Sequence, residues 1–384
     1  TKPQRLRFQV RNAAQIPAEA LPQIFNKFYR VPDGDRRLAG ERLEQVEVAA
    51  VADEHEGGRA AALKRTGAKT AYADYRQMLA KEKLDIVAIC QRWIDKHHEM
   101  AIAAAEHGCH IYIEKPFCPN LHEADEIVQA LEMRHLKLQI AHGNRHTPHL
   151  KPIRSLIRNG DIGDIVEIRI RGKEDSRRGG GEDLWVLGTH MLDLARFLTG
   201  DVESCYATVR EGGEPVSKKH VKPGNEGIGP LAGDHIEAMF RFKNGTPCFF
   251  ASRRGAAGSP SRFGLTLFGS KGIIQMQSGY ARAAWLLRDP GWSPGRSGKK
   301  WETISSNGPG KPETISGDSH DGGNLAAVKD LLSAIEDDRQ PISSVYDARA
   351  ATEMIASVFE SHRVGGPVSF PLKNRKNPLT MLKG

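Results

Sequence analysis

A lysine held between a glutamate and a proline, right after three strand-forming residues, is the stretch best suited to chemistry: Ile111-Tyr-Ile-Glu114-Lys115-Pro116. In an open parallel sheet, ligands gather in the crevice beyond the carboxyl ends of the strands. An amine at that edge, partly withdrawn from water and beside a carboxylate, can have its proton affinity tuned for acid–base work. The plainer alternative is a Lys–Glu pair at a strand end with a proline that turns the chain.

Two further places carry site chemistry. Val46–Ala52 reads as a strand closed by Asp53, and an acid at that position suits the 2′-hydroxyl of an adenosine ribose, which favours NAD over NADP. A helix-capping aspartate is the competing reading. The turn after the first strand, Arg11-Asn-Ala-Ala-Gln-Ile-Pro17, stands where a dinucleotide site carries G-x-G-x-x-G, but Asn12, Ala14 and Pro17 occupy the glycine positions. Asn12, Ala14 and Ile16 remain the candidate cofactor contacts there, without the usual glycine fingerprint. A polar loop, Gln91 to His98, follows the strand Leu84–Cys90 and faces the same crevice.

These residues need elements to place them. Arg5–Val10, Val46–Ala52, Leu84–Cys90, Cys109–Ile113 and Lys137–His142 read as strands, with helices at about 18–30, 75–83, 100–107 and from Asn120. Gly108 ends one of these helices, as a C-terminal cap does. Strand–helix alternation over this length predicts a doubly wound parallel sheet. After Gly143 the rhythm changes to strand-like runs at 165–171, 203–209, 237–242, 247–252, 264–268 and 272–276, with helices at 184–198, 324–336 and 347–362. The fold class is therefore α/β: an N-terminal parallel sheet over residues 1–143, then an α/β domain over 144–384 built on a large, mostly antiparallel open sheet. The polar stretches 210–233 and 288–323 read as loops.

Composition narrows the function classes. The 384 residues carry a formal charge of +8, and the basic pairs are dispersed without interleaved aromatics, which argues against a nucleic-acid partner. No apolar run approaches the ~20 residues that cross a bilayer, so no membrane partner is expected. Five scattered cysteines without CxxC spacing point to reduced thiols and a cytoplasmic location. The chain starts at Thr1, which leaves room for an export signal removed from a precursor.

The chain resembles the Gfo/Idh/MocA family of nicotinamide-dependent oxidoreductases. The resemblance rests on Val46-Glu-Val-Ala-Ala-Val-Ala-Asp53, Asp85-Ile-Val-Ala-Ile-Cys90, Gly108-Cys-His-Ile-Tyr-Ile-Glu-Lys-Pro116, Gly143-Asn-Arg145, Gly179-Gly-Gly181, Gly188-Thr-His-Met-Leu-Asp193 with Arg196, and Phe268-Gly-Ser-Lys-Gly272. It implies a Rossmann domain that binds NAD, followed by a domain whose open sheet packs on another subunit to give a homodimer or homotetramer. It also implies catalytic roles for Lys115 and His190, cofactor contacts at Gln91, His98, Glu114 and Lys115, and a site-lining pair Asn144-Arg145. Where the family places an aspartate, four residues before the histidine, this chain has Val186. Asp183, seven residues before His190, would reach the same helix face after two regular turns, or would cap the helix.

The function these features predict is hydride transfer between a nicotinamide cofactor and a secondary hydroxyl of a sugar or polyol. His190 would take the hydroxyl proton, Lys115 would polarise the oxygen, and Arg145, His146 and His320 would contact the substrate. Two alternatives use the same residues: transient sugar oxidation that drives glycoside hydrolysis or elimination, and a non-catalytic sugar sensor with a decayed cofactor site. A metal centre from His142, His146 and His149 with His190 or His320 lacks a supporting motif, so no metal is expected.

Overall fold

The computed structural model describes residues 6–11, 46–259, 261–278, 283–291, 296–315 and 319–383, without the side chains of 6–11, 46 and 319–322. Asn12, Ala14, Ile16 and the expected helix at 18–30 lie outside the described residues. So does the side chain of His320.

Six strands make the first sheet: β1 (Leu6–Arg11), β2 (Val46–Ala52), β3 (Thr70–Tyr72), β4 (Ile86–Ile89), β5 (His110–Ile113) and β6 (Leu138–Ile140). Every pairing is parallel and the order is β3-β2-β1-β4-β5-β6, so the sheet is doubly wound. Its central strands are buried on both faces, which is why β4 is a continuous apolar run rather than an alternating one. On one face, Met100, Ala101, Ala104 and Ala105 of the helix His97–Glu106 pack with Ile111, Ile113, Met78 and Leu79. On the other, Val48, Val51, Ile86, Ala88 and Tyr112 meet Ala327, Val328, Leu331 and Leu332.

That second face comes from far along the chain, and it alters the expected partition. Residues 320–349 join the described residues up to Cys118 and His122–Ala141 in the first compact unit. The physical reason is the helix Ser319–Glu336, whose apolar residues at 327, 328, 331 and 332 form one stripe against the sheet. The Ile140 amide donating to the Ser343 carbonyl at 2.9 Å then extends the edge of β6.

The second unit holds Pro119–Leu121, His142–Ser319 and Ala350–Gly384. Its eleven-stranded sheet runs Gly308–Pro309, Glu302–Ser305, Ala284–Leu287, Ile273–Gln277, Gly264–Gly269, Ile165–Arg171, Pro247–Arg253, His235–Phe242, Val202–Glu211, Val368–Ser369, with Glu214–Pro215 paired to Val202–Glu211. All pairings are antiparallel except that of Ile165–Arg171 with Pro247–Arg253. Alternation puts Ile168, Ile170, Phe250, Ile236 and Leu267 on the covered face and leaves Arg169, Phe249 and Tyr206 outward. The stretch 288–323, expected as loop, supplies the strands Glu302–Ser305 and Gly308–Pro309 and the start of the helix at Ser319. Likewise 210–233 contains the small ladder Lys222–Pro223 with Pro230–Leu231. No helix among the described residues is long and apolar enough to cross a membrane.

Candidate functional site

In the first unit the residues converge at the carboxyl ends of β2, β4 and β5. Asp53 closes β2, 1 % exposed; its Oδ1 accepts the His55 amide at 2.9 Å, while its Oδ2 is buried with no hydrogen-bond partner among the described residues. Asp53 does not cap the next helix: Glu56–Thr66 has His55 at its N-cap position and no side-chain cap. A buried carboxylate oxygen calls for a donor, and a ribose hydroxyl supplies one. Asp53 therefore fits an adenosine ribose.

Glu114 and Lys115 leave β5 half-buried. The Glu114 amide donates to the Ile89 carbonyl at 2.9 Å, which continues the ladder, and its carboxylate Oε2 accepts the Lys115 amide at 3.2 Å. The Lys115–Pro116 peptide is cis. Beneath it sits a histidine that sequence reasoning passed over. His97 is fully buried, with Nδ1 3.0 Å from the Phe117 carbonyl and Nε2 2.7 Å from the Gln91 carbonyl. Burial lowers its proton affinity against the pull of those carbonyls and of Glu114. His98, the residue expected in the crevice, lies instead 2.8 Å from Glu126, on the outer side of the helix. The helix begins at His97, so the loop ends one residue earlier than expected, and His97 ties the Gln91 loop to the chain after Pro116.

In the second unit the helix Thr189–Thr199 carries His190, and the short turn Gly143–His146 packs on it. Between them lies a buried ion cluster. Arg145 donates to Asp193 through both Nε (2.8 Å to Oδ2) and Nη2 (2.6 Å to Oδ1), a bidentate pair. His142 Nδ1 stands 3.1 Å from Asp193 Oδ1, and its Nε2 lies 3.4 Å from Thr189 Oγ1. Burial alone would raise the Asp193 carboxyl, but the His142 and Arg145 charges and hydrogen bonds outweigh it and hold it far below the usual carboxylate range. The rings of His142 and His190 meet edge-on, 6.0 Å between centroids at 68°. His142 and Asp193 were legible only as fragments; the i,i+3 spacing of His190 and Asp193 on one helix was the available signal.

The other expected residues fall into place around this cluster. Arg145, expected on substrate, is 6 % exposed and engaged with Asp193, its guanidinium 4.5 Å over the Phe197 ring, so it anchors the acid. Asn144 is buried, its Nδ2 lacks a hydrogen-bond partner among the described residues, and it lines a pocket with Thr147, His149, Met191, Gln277 and Ser278. His146 is half-buried at the end of the same turn.

Asp183 does not serve His190. A π-helical turn, Leu184–Gly188, separates them, and its i→i+5 bonding adds a residue, so seven positions no longer complete two turns. Nor does Asp183 cap the helix: Gly180 holds that position, at φ +88°, where a Cβ would strike the Gly233 carbonyl. The Asp183 carboxylate accepts the Ser252 hydroxyl and the Glu174 amide (3.1 Å), and burial pushes its proton affinity up. A side chain at Gly172 would collide with both Asp183 and Ser252. His149 lies 3.5 Å from Glu313, and among the described residues no three His, Cys, Asp or Glu side chains group to hold a metal ion.

Two family models match: the oxidoreductase family with an NAD-binding Rossmann fold over residues 34–142, and the GFO/IDH/MocA C-terminal domain over residues 150–275, together more than half of the chain. The chain is 26% identical to the myo-inositol 2-dehydrogenase of Thermotoga maritima over 62% of its own length and 70% of that protein. It is 27% identical to the levoglucosan dehydrogenase of Pseudarthrobacter phenanthrenivorans over 56% of its length and 61% of that protein. Among solved structures, a levoglucosan dehydrogenase in complex with NADH and levoglucosan superposes over 95% of this chain and 99% of that one, with a TM-score of 0.75 at 19% identity. An NAD binding oxidoreductase from Klebsiella pneumoniae matches over 95% and 99%, with a TM-score of 0.73 at 20% identity. These likenesses agree with the parallel sheet that ends in Asp53 and Lys115, and with the open antiparallel sheet that follows it. The chain belongs to the Gfo/Idh/MocA family of NAD-dependent oxidoreductases.

Proposed function

We propose that the protein transfers hydride between NAD and a secondary hydroxyl of a sugar or polyol, with the cofactor bound by the first unit, which includes residues 320–349, and the substrate by the second. Support for the substrate class comes from relatives named for inositol, levoglucosan and D-apiose. Neither the redox-neutral glycoside reaction nor the non-catalytic sensor gains support from them. The observation that carries the reading is the Glu114-Lys115-Pro116 turn at the carboxyl edge of a parallel sheet whose second strand ends in an acid with one unmatched oxygen. NAD, when bound, supplies the hydride chemistry. Asp53 would hold its ribose, with Gln91, Glu114 and Lys115 along the same edge. His190 is our candidate for taking the proton of the substrate hydroxyl, and Lys115 our candidate for acid–base work at the edge of the parallel sheet. The Asn144 amide would donate to a further hydroxyl.

Two experiments test this. Purified protein is titrated with NADH and NADPH by fluorescence, then assayed with myo-inositol, levoglucosan and apiose. Asp53→Ala should weaken NAD binding roughly 10- to 100-fold, the worth of a hydrogen bond to a charged group, while changing NADP binding far less. Nucleotide affinity unchanged in that variant removes Asp53 from the site, and no dinucleotide binding at millimolar concentration ends the reading.

The open face of the second sheet is our proposed subunit interface, forming a homodimer or homotetramer. Cross-strand register aligns Tyr206, Met239 and Phe249, so an apolar row runs over three strands, with Tyr206 and Phe249 45% and 41% exposed. Phe249→Glu should convert the oligomer to monomers, read by light scattering. An unshifted mass sinks the proposal. A cytoplasmic setting suits five cysteines that are all buried and outside any disulfide. No nucleic-acid or membrane partner enters the proposal.

A further inference from the structure

The row of outward side chains that starts with Tyr206, Met239 and Phe249 does not stay apolar. Strand register carries it on through Arg169, Thr266, Gln275 and Trp285. Here the sheet face holds a cavity of about 850 Å³, wholly within the second unit. Arg169, Arg171 and Arg262 are its charged lining among the described residues, and Trp285 and Trp301 are aromatic walls. We propose that this cavity binds a sugar-sized ligand carrying an anionic group, a carboxylate or a phosphate, as a second site beside the pocket at Asn144. The proposal goes beyond the dehydrogenase reading and does not rest on it.

The arginines are held by a buried acid. Glu174 is 0% exposed, and its carboxylate accepts Arg171 Nη2 at 2.6 Å, Arg262 Nη2 at 3.0 Å and the Arg253 amide at 3.1 Å. Its backbone sits at φ +59°, a region costly for a residue with a Cβ, and such strain collects at sites that hold a fixed geometry. Arg169 pairs with Glu167. Three guanidiniums against two carboxylates leave one positive charge in excess, which suits a ligand with an anionic group. Arg171 Nε is buried with no hydrogen-bond partner among the described residues, and a buried donor calls for an acceptor. The remaining lining suits a sugar ring. Trp285 and Trp301 offer flat apolar faces to its C–H groups, while Thr266 and Gln275 can donate to and accept from its hydroxyls. The volume is that of a small-molecule site, about 300–1,000 Å³.

The test is calorimetric titration of the full chain, without NAD, using D-glucuronate, D-glucose 6-phosphate, D-glucose and inorganic phosphate. Glucuronate or glucose 6-phosphate should bind saturably, roughly 10-fold or more tighter than glucose or phosphate, and the tighter of the two names the anion. Arg262→Gln should weaken that binding roughly 10- to 100-fold, and Trp301→Ala roughly 3- to 10-fold. Both side chains are well exposed, 53% and 40%, so neither change strips the core. Met276 and Gln277 line both this cavity and the Asn144 pocket, so Asn144→Ala is the control, and it should leave the affinity unchanged. No binding of either anionic sugar, or equal binding of glucose, overturns the proposal. So does affinity that survives Arg262→Gln or is lost in Asn144→Ala. Binding confined to Phe249→Glu would mean that a second copy of the chain fills the cavity, and this also overturns it. Because neither cofactor nor turnover enters the measurement, failure to find a dehydrogenase substrate would leave the result standing on its own.

Discussion

Replacing Lys115 with methionine should lower kcat by roughly 100- to 10,000-fold, the range for loss of a positioned acid–base group. KM for NAD should change far less. Methionine keeps the length and apolar stem of the lysine and removes only the charge and the protons. The structure explains why the loss would be specific. The Glu114 carboxylate already accepts the Lys115 backbone amide at 3.2 Å and so holds the turn whichever residue follows it. The strand before it is locked on both sides, by β4 through the Glu114 amide and by the Ala141 amide donating to the Ile113 carbonyl at 2.9 Å. A variant that melts like the parent and retains parental turnover would show that the amine is a surface charge at a strand end.

The parallel sheet and the polar edge that carries the candidate site were legible because buried parallel strands leave unbroken apolar runs such as Ile86–Ile89, and because Glu114-Lys115-Pro116 and Asp53 sit directly at strand ends. The second sheet was readable wherever strands alternate over five or more residues. It was lost at Glu302–Ser305 and Gly308–Pro309, edge pieces of four and two residues that are too short to show a period. The helix Ser319–Glu336 was visible, but its partner was not. Nothing local marks that Leu331 packs with Val48 and Ile86, hundreds of positions earlier.

Inside the site, three residues sit differently from expectation. Asp183 was aligned with His190 by assuming regular helix, and the π-helical turn between them broke the count. His98 came from the resemblance, and two adjacent histidines at a helix start differ only in which way the first turn points them. Arg145 was expected on substrate because the resemblance makes Asn144-Arg145 a site-lining pair. Its partner, Asp193, lies 48 positions away, and only the fold joins them.

That buried pair gives the second large effect. Asp193→Ala should cost about 3–5 kcal/mol of stability, since it strands the Arg145 guanidinium and the His142 imidazole, side chains 2% and 1% exposed, without their counter-charge. Replacing both partners, Arg145→Met with Asp193→Leu, should recover most of it, because an apolar pair of similar volume carries no desolvation penalty. The pH dependence has a definite sign. Asp193 is held below its unfolded value, which is about 3.9, so its contribution is complete above that value and is lost as pH falls through the lower folded one. Urea unfolding below about pH 4 should therefore show the parent losing stability more steeply than either variant. A parent and an Asp193→Ala variant with equal acid slopes would mean that the carboxylate titrates alike folded and unfolded, and the cluster would lose its claim to stabilise the turn that carries Asn144.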